Sequence, residues 1–227
     1  MSVSRVASTV VLTVVLVLAG CTGTLFAAEA SPATIPQSAY ESVGYVHGNT
    51  TAVPLGYTVG TAGISRNVTV TSQLSGYSRT VADDEVSLLL VLSTPNVEVA
   101  GESVNPFARM ADGVLLDRVL NATATLNVTG YVGDASDAGD VAAVADVGDL
   151  RRVDAVERTV LETPTTVTTY AGTVEIEGTR VAALVHVAVV EHGDDVVVAV
   201  AVHPESMDET ARIHALVEAI EHEATSE

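Results

Sequence analysis

The sequence predicts an α+β domain, an antiparallel β-sheet with helices on both faces, preceded by a signal peptide. Three observations carry that expectation. The C-terminal third holds three consecutive β-rich runs divided by turn residues. The middle run is apolar on both parities, so both faces of its sheet need cover. Two stripes at helical spacing, one before the runs and one after, are available to supply it.

The first twenty residues, MSVSRVASTVVLTVVLVLAG, carry one cation, Arg5, and then an apolar run from Val6 to Leu18 broken only by Ser8, Thr9 and Thr13. This is secretory-signal architecture, and the 13-residue run is shorter than the ~20 residues a spanning helix needs. Leu18-Ala19-Gly20-Cys21 resembles the lipobox of secreted lipoproteins. The small Ala19 and Gly20 suit an extended chain in a peptidase groove, and the Cys21 thiol would become the thioether that carries lipid. Two readings compete. Extending the window through Ala28 gives 23 residues, enough for an uncleaved anchor, and a lone cysteine also serves as a small apolar core residue. Both anchored readings place the rest of the chain outside the cytoplasm, because Arg5 is the only charge before the apolar run. The expected boundaries are a signal peptide over 1–20, lipidated Cys21 with a flexible tether over 21–37, and one domain over 38–227. Cys21 is the only cysteine, so no intrachain disulfide forms and the core must supply stability.

Past the tether, Tyr45-Val46 and Val53 to Val59 are strand-like, and NVTVTSQL from Asn67 alternates at period two. SLLLVLSTP, 87–95, is a continuous apolar run, as expected of a strand covered on both faces. Asn105 as N-cap and Pro106 at the first helical position open a helix over 105–121, with Phe107, Met110, Ala111, Val114, Leu115 and Val119 as its apolar stripe. From Ala122 the period returns to two. The aspartate-rich 133–158 predicts a loop followed by a short, imperfect helix. The meander follows, with strands in 165–176, 179–192 and 196–204 and a turn near Gly193-Asp194-Asp195. A last helix is expected to start with a Ser206/Glu209 capping box and to bury Ile213, Leu216, Val217 and Ile220.

The chain holds 29 acidic residues against 10 basic ones, all arginine, for a net charge of −19. Nucleic acid is therefore an excluded partner, and adhesion to anionic lipid is disfavoured, so membrane attachment needs a covalent or inserted anchor. Such acidity without lysine resembles the proteins of salt-in haloarchaea. At molar salt the Debye length is about 3 Å, which screens self-repulsion.

Four of the six asparagines, Asn49, Asn67, Asn121 and Asn127, lie in N-x-Ser/Thr sequons and are candidate N-glycosylation sites. His214, Glu218 and His222 are spaced i, i+4, i+8 and are the one metal candidate. Successive i+4 steps each rotate by about 40°, so three ligands cannot converge from a straight helix, and surface pairs are the better reading. The carboxylates of EHGDD, 191–195, read as a solvated turn, while His186 reads as packed and His203 as a strand end. No nucleophile elbow, zinc-protease, phosphate-loop or dinucleotide motif occurs. No cofactor and no catalytic residue are expected.

The order of elements resembles the PsbP-like α/β/α sandwich, which also occurs in actinobacterial envelope lipoproteins of the LpqN type. STPNVEVAGESVNP (93–106), YAGTVEIEG (170–178) and HGDDVVVAVAVHP (192–204), with the lipobox, are similar to a haloarchaeal lipoprotein family of unknown function. The resemblance implies no activity, substrate or catalytic residue. The expectation is a non-catalytic binding or assembly module on the outer membrane face, partnered by lipid on Cys21 and by an unidentified envelope or membrane protein. The alternatives are a solute- or metal-binding lipoprotein of a transport system and a cell-surface hydrolase.

Overall fold

The computed structural model describes residues 27–61, 64–80, 86–99, 102–103, 105–109, 148–176 and 179–223. The signal 1–20, Cys21, Asn121, Asn127 and the loop expected from 133 to 147 lie outside the described residues. In chain order the elements are β1 (Ala27–Glu29), β2 (Ala33–Thr34), α1 (Gln37–Ser42), β3 (Val46–Thr61), β4 (Ile64–Thr80), β5 (Val86–Pro95), β6 (Glu98–Val99) and β7 (Glu102–Ser103). They continue with α2 (Pro106–Arg109), β8 (Gly148–Val160), β9 (Thr163–Ile176), β10 (Thr179–His192), β11 (Asp195–Pro204), α3 (Thr210–Glu218) and β12 (Glu221–His222).

The fold is predominantly β. One eight-stranded sheet runs β3-β4-β5-β11-β10-β9-β8, and β1 adds parallel to β4 with Ala27–Glu29 opposite Thr69–Thr71. The sheet is therefore mixed, and the expected α/β/α sandwich with helices on both faces is incorrect. Among the described residues, α3 is the longest helix and lies over one face, whereas α2 is a single turn. The helix expected over 105–121 starts as written. Asn105 Oδ1 accepts the Phe107 N–H at 2.9 Å, the N-cap bond that frees a first-turn donor from solvent, and its continuation past Arg109 lies outside the described residues.

The meander forms as expected, because each strand carries β-branched residues on both parities. β9, β10 and β11 pair antiparallel, with Val187 opposite Thr168 and Val200. β5 is buried along nearly its whole length and pairs with β4 and β11. The imperfect helix expected toward 158 is instead strand β8. Val160 packs into the core, and Arg158 and Val156, two and four positions earlier, are half-buried, so pairing with β9 overrides the weak helical pattern. A two-residue turn at Leu161-Glu162, both at positive φ, joins β8 to β9.

Part of the segment expected as a flexible tether over 21–37 is structured instead. Residues 27–37 carry β1, β2 and the start of α1, and Ala30, Ala33 and Ile35 are buried. Ser75 Oγ donates to the Ala33 carbonyl at 2.9 Å, and the Ile35 N–H donates to Tyr77 Oη at 2.7 Å. These bonds satisfy backbone groups of an irregular segment that packs against the sheet.

Two apolar clusters divide by parity. One joins Tyr45, Tyr77, Leu89, Val91, Ala188, Val197 and Ala199 to Ile213, Leu216, Val217 and Ile220 of the last helical segment. The other, on the opposite face, contains Leu88, Leu90, Val185, Val187, Val198, Val200 and Phe107. The stripe of α3 is as predicted, and full burial of each such side chain is worth ~1.5–3 kcal/mol. Among the described residues no helix is long and apolar enough to cross a membrane.

Candidate functional site

Strand alternation aligns Ser87 and Ser93 of β5, His203 and Asp195 of β11, and His186 and His192 of β10 with the α3-covered face. The middle of that face is apolar and its two ends are polar, which produces two buried clusters.

At one end sits Glu209, the residue before α3. The expected Ser206/Glu209 capping box does not form: no side chain caps α3. Glu209 is 2% exposed and serves as a hub between strand and helix. Its Oε1 accepts from Arg79 and, at 3.1 Å, from Arg212, and its Oε2 accepts from Tyr45 Oη at 3.1 Å. Ser87 Oγ donates to Tyr45 Oη at 2.6 Å. Burial, with the Glu209 charge also contributing, pushes the Tyr45 phenol well up, so it stays a donor. A buried carboxylate must be paired, and here two guanidiniums and a phenol do so.

Beside it lie three histidines. His203 Nδ1–H donates to the Pro204 carbonyl at 2.8 Å, which leaves a lone pair on Nε2. His186 Nε2–H donates to that lone pair at 3.0 Å, and His186 Nδ1 therefore accepts from Thr169 Oγ1 at 3.0 Å. The contact between the two Nε2 atoms needs a lone pair on one of them, so the rings cannot both be charged. Burial, reinforced by the neighbouring imidazoles, lowers His186 to about 3, and burial also lowers His203 and His214. His214 Nδ1 accepts from Arg158 Nη2 at 3.1 Å, so its proton lies on Nε2 and its lone pair is spent on a guanidinium.

The other end is built on Asp195. Its Oδ2 accepts the Ser31 N–H at 3.0 Å and His222 Nε2–H at 3.0 Å. Ser93 Oγ lies 3.2 Å from the same Nε2, and His222 Nδ1 meets His192 Nδ1 at 3.0 Å. The solvated turn expected over 191–195 is thus wrong for Asp195, which is 4% exposed. Only Gly193 and Asp194 make the turn, and Asp195 is the first residue of β11, opposite His192.

His214, Glu218 and His222 do not converge. α3 ends at Glu218, and His222 lies on β12, whose partner is β2. His214 belongs to the Glu209 end and His222 to the Asp195 end, and both are buried rather than members of surface pairs. Glu218 lies 3.9 Å from Arg158. Among the described residues no three His, Cys, Asp or Glu side chains are placed to hold a metal. Ser93, His222 and Asp195 resemble a catalytic trio in composition only. A relay needs the hydroxyl and the carboxylate on opposite ring nitrogens, and here both meet Nε2. Of the sequon asparagines, Asn49 is exposed on β3, and Asn67 lies within β4.

The sequence reading missed Glu209 and Asp195 as organising acids. The hairpin itself was the available signal for Asp195: a two-residue turn sets His192 across from Asp195 and brings His186 and His203 to one face. Nothing local could signal the Arg79–Glu209 pair, whose members are separated by 130 residues.

A protein family described as a domain of unknown function, DUF6517, matches residues 32–221. No curated protein matches the chain. The chain belongs to the DUF6517 family.

Proposed function

We propose that this chain is a non-catalytic binding or assembly module held at the outer face of a cell membrane by lipid on Cys21, in a high-salt environment. The supporting observation is the use made of its reactive side chains. His186, His203, Glu209, Asp195, Ser87 and Ser93 are buried and bonded to other side chains of the domain or to backbone, and Asp195 ties the first and last described segments to the sheet. Catalysis needs a reacting group that a substrate can reach, and these groups are committed to structure. β1 begins six residues after Cys21, so an extended connection of ~3.3–3.6 Å per residue holds the sheet within about 20 Å of the lipid. The partner is an envelope or membrane protein, since a charge of −19 repels nucleic acid.

Intact mass of protein taken from native membranes tests the anchor, with an N-terminus at lipid-bearing Cys21 expected and an unprocessed chain expected for Cys21→Ser. Met1 retained with an unmodified thiol would sink the lipoprotein reading. Crosslinking in membranes at molar salt tests the module, and recovery of a specific membrane protein is the expected result. Turnover of a surface polymer or ester by the purified domain would overturn the non-catalytic assignment.

A further inference from the structure

We infer that Asn49 is the sequon this domain presents for N-glycosylation, and that its glycan caps the free edge of the sheet. The modification presupposes the extracytoplasmic placement proposed above. β3 pairs only with β4 among the described residues, so its outer edge offers unpaired backbone groups to any passing strand. Pro54, which has no N–H, blunts the middle of that edge. Nearer the start of β3, His47 lies opposite Tyr77 and Thr50 opposite Ser75, so Gly48 and Asn49 together face the single Gly76. This bulge breaks the ladder and leaves Asn49 exposed.

The bulge also arranges the sequon. Thr50 Oγ1 bonds to Ser75 Oγ at 3.0 Å and fixes the middle residue against the neighbouring strand. Asn49 Nδ2 donates to Thr51 Oγ1 at 3.2 Å, so the hydroxyl that defines the sequon already lies against the amide to be modified. Asn67 is placed differently. Asn67, Val68 and Thr69 lie opposite Thr58, Tyr57 and Gly56 of β3, Thr69 also lies opposite Ala27 of β1, and Val68 is buried. Thr69, which defines that sequon, is flanked by strands on both sides, so a transferase would have to part them to engage it, whereas Asn49 lies on a bulge of the edge strand.

The reaction is a glycosyl transfer from a glycan carried on a lipid phosphate, catalysed by a membrane transferase. A bond forms between Asn49 Nδ2 and the anomeric carbon, the anomeric carbon–oxygen bond breaks, and the phosphate leaves with the electron pair. The proton lost from the amide goes to a base of the transferase. The attached glycan is too bulky and hydrated for another strand to lie along β3.

Glycopeptide mapping of protein purified from its native membranes is the test. A glycan on the Asn49 peptide and a bare Asn67 are expected. Thr51→Ala should lose one glycan mass and Thr51→Ser should keep it, and both should fold because the site is on an exposed bulge. The Thr51→Ala protein should sediment with a larger self-associated fraction at molar salt than the Thr51→Ser protein. Bare Asn49 in a chain that begins at lipid-bearing Cys21 overturns the glycan while leaving the anchor intact. Bare Asn49 in a chain retaining Met1 and a free thiol overturns both. A glycan on Asn67 alone overturns the assignment of the bulge as the site.

Discussion

The Glu209 and Asp195 ends of the α3-covered face solve one problem in two ways. Both bury a carboxylate on the same face of the sheet, about 20 Å apart by the six-residue spacing of Ser87 and Ser93 along β5. Glu209 is neutralised by permanent cations, Arg79 and Arg212, with Tyr45 filling its second oxygen. Asp195 is held by a backbone N–H and by imidazole. The Glu209 end therefore joins β4 and the residue before β3 to α3, while the Asp195 end fastens the first and last described segments. The difference teaches that the same residue type, buried in one layer, acts as a rivet in one place and a clasp in the other. What decides is whether its partners come from sheet and helix or from chain ends.

Acid should separate the two ends most strongly. His186, His203 and His214 have lowered values in the folded chain, so protons prefer the unfolded one. Their stabilising contribution is complete above the ordinary histidine value near 6.5. It falls as pH drops below that, for His186 down to about 3. Each histidine should remove up to about 1.4 kcal/mol per pH unit in that window. Denaturant titrations at molar salt between pH 7 and pH 4 should show the loss. His186→Leu should flatten the curve, and an unchanged acid slope would contradict the neutral chain.

Next in size is Glu209→Ala. It removes one partner of the Tyr45 hydroxyl and leaves two guanidiniums facing each other, for an expected loss of about 2–3 kcal/mol. The cost stays below that of a fully buried pair because Arg79 and Arg212 retain some contact with water. Thermal unfolding measures it. Asp195→Ala should cost about 2 kcal/mol, since it removes the carboxylate acceptor shared by the Ser31 N–H and His222 Nε2–H. It should also raise hydrogen exchange at residues 31–35 and 221–222 while sparing α3. Uniform exchange across the sheet would mean that Asp195 is not a clasp. Glu218→Gln should change stability by less than about 0.5 kcal/mol, because its contact with Arg158 is long and half-exposed.

The meander, the burial of β5, the N-cap at Asn105 and the stripe of α3 were legible because each is written as a local period or a cap. β8 was not legible, because its charged positions satisfy a weak helical pattern and only β9 makes them a strand. Asp195 was misread by one residue of turn length. In a hairpin a single residue exchanges buried and solvent faces, and so moved this carboxylate from a presumed solvated turn into the core. The metal candidate failed for a related reason: α3 stops at Glu218, and β12 takes His222 elsewhere.

The sequence by itself determined the acidic, lysine-free composition, the apolar N-terminus ending at Cys21, the alternating strands and the apolar helix stripe. These follow from residue type and from periods of two and 3.6, which any reader of the chain can count. Only the tertiary structure decided that Glu209 and Asp195 became buried hubs. Burial of a charge depends on partners brought from distant segments, such as Arg79 for Glu209 and Ser31 for Asp195, and no local pattern records those meetings.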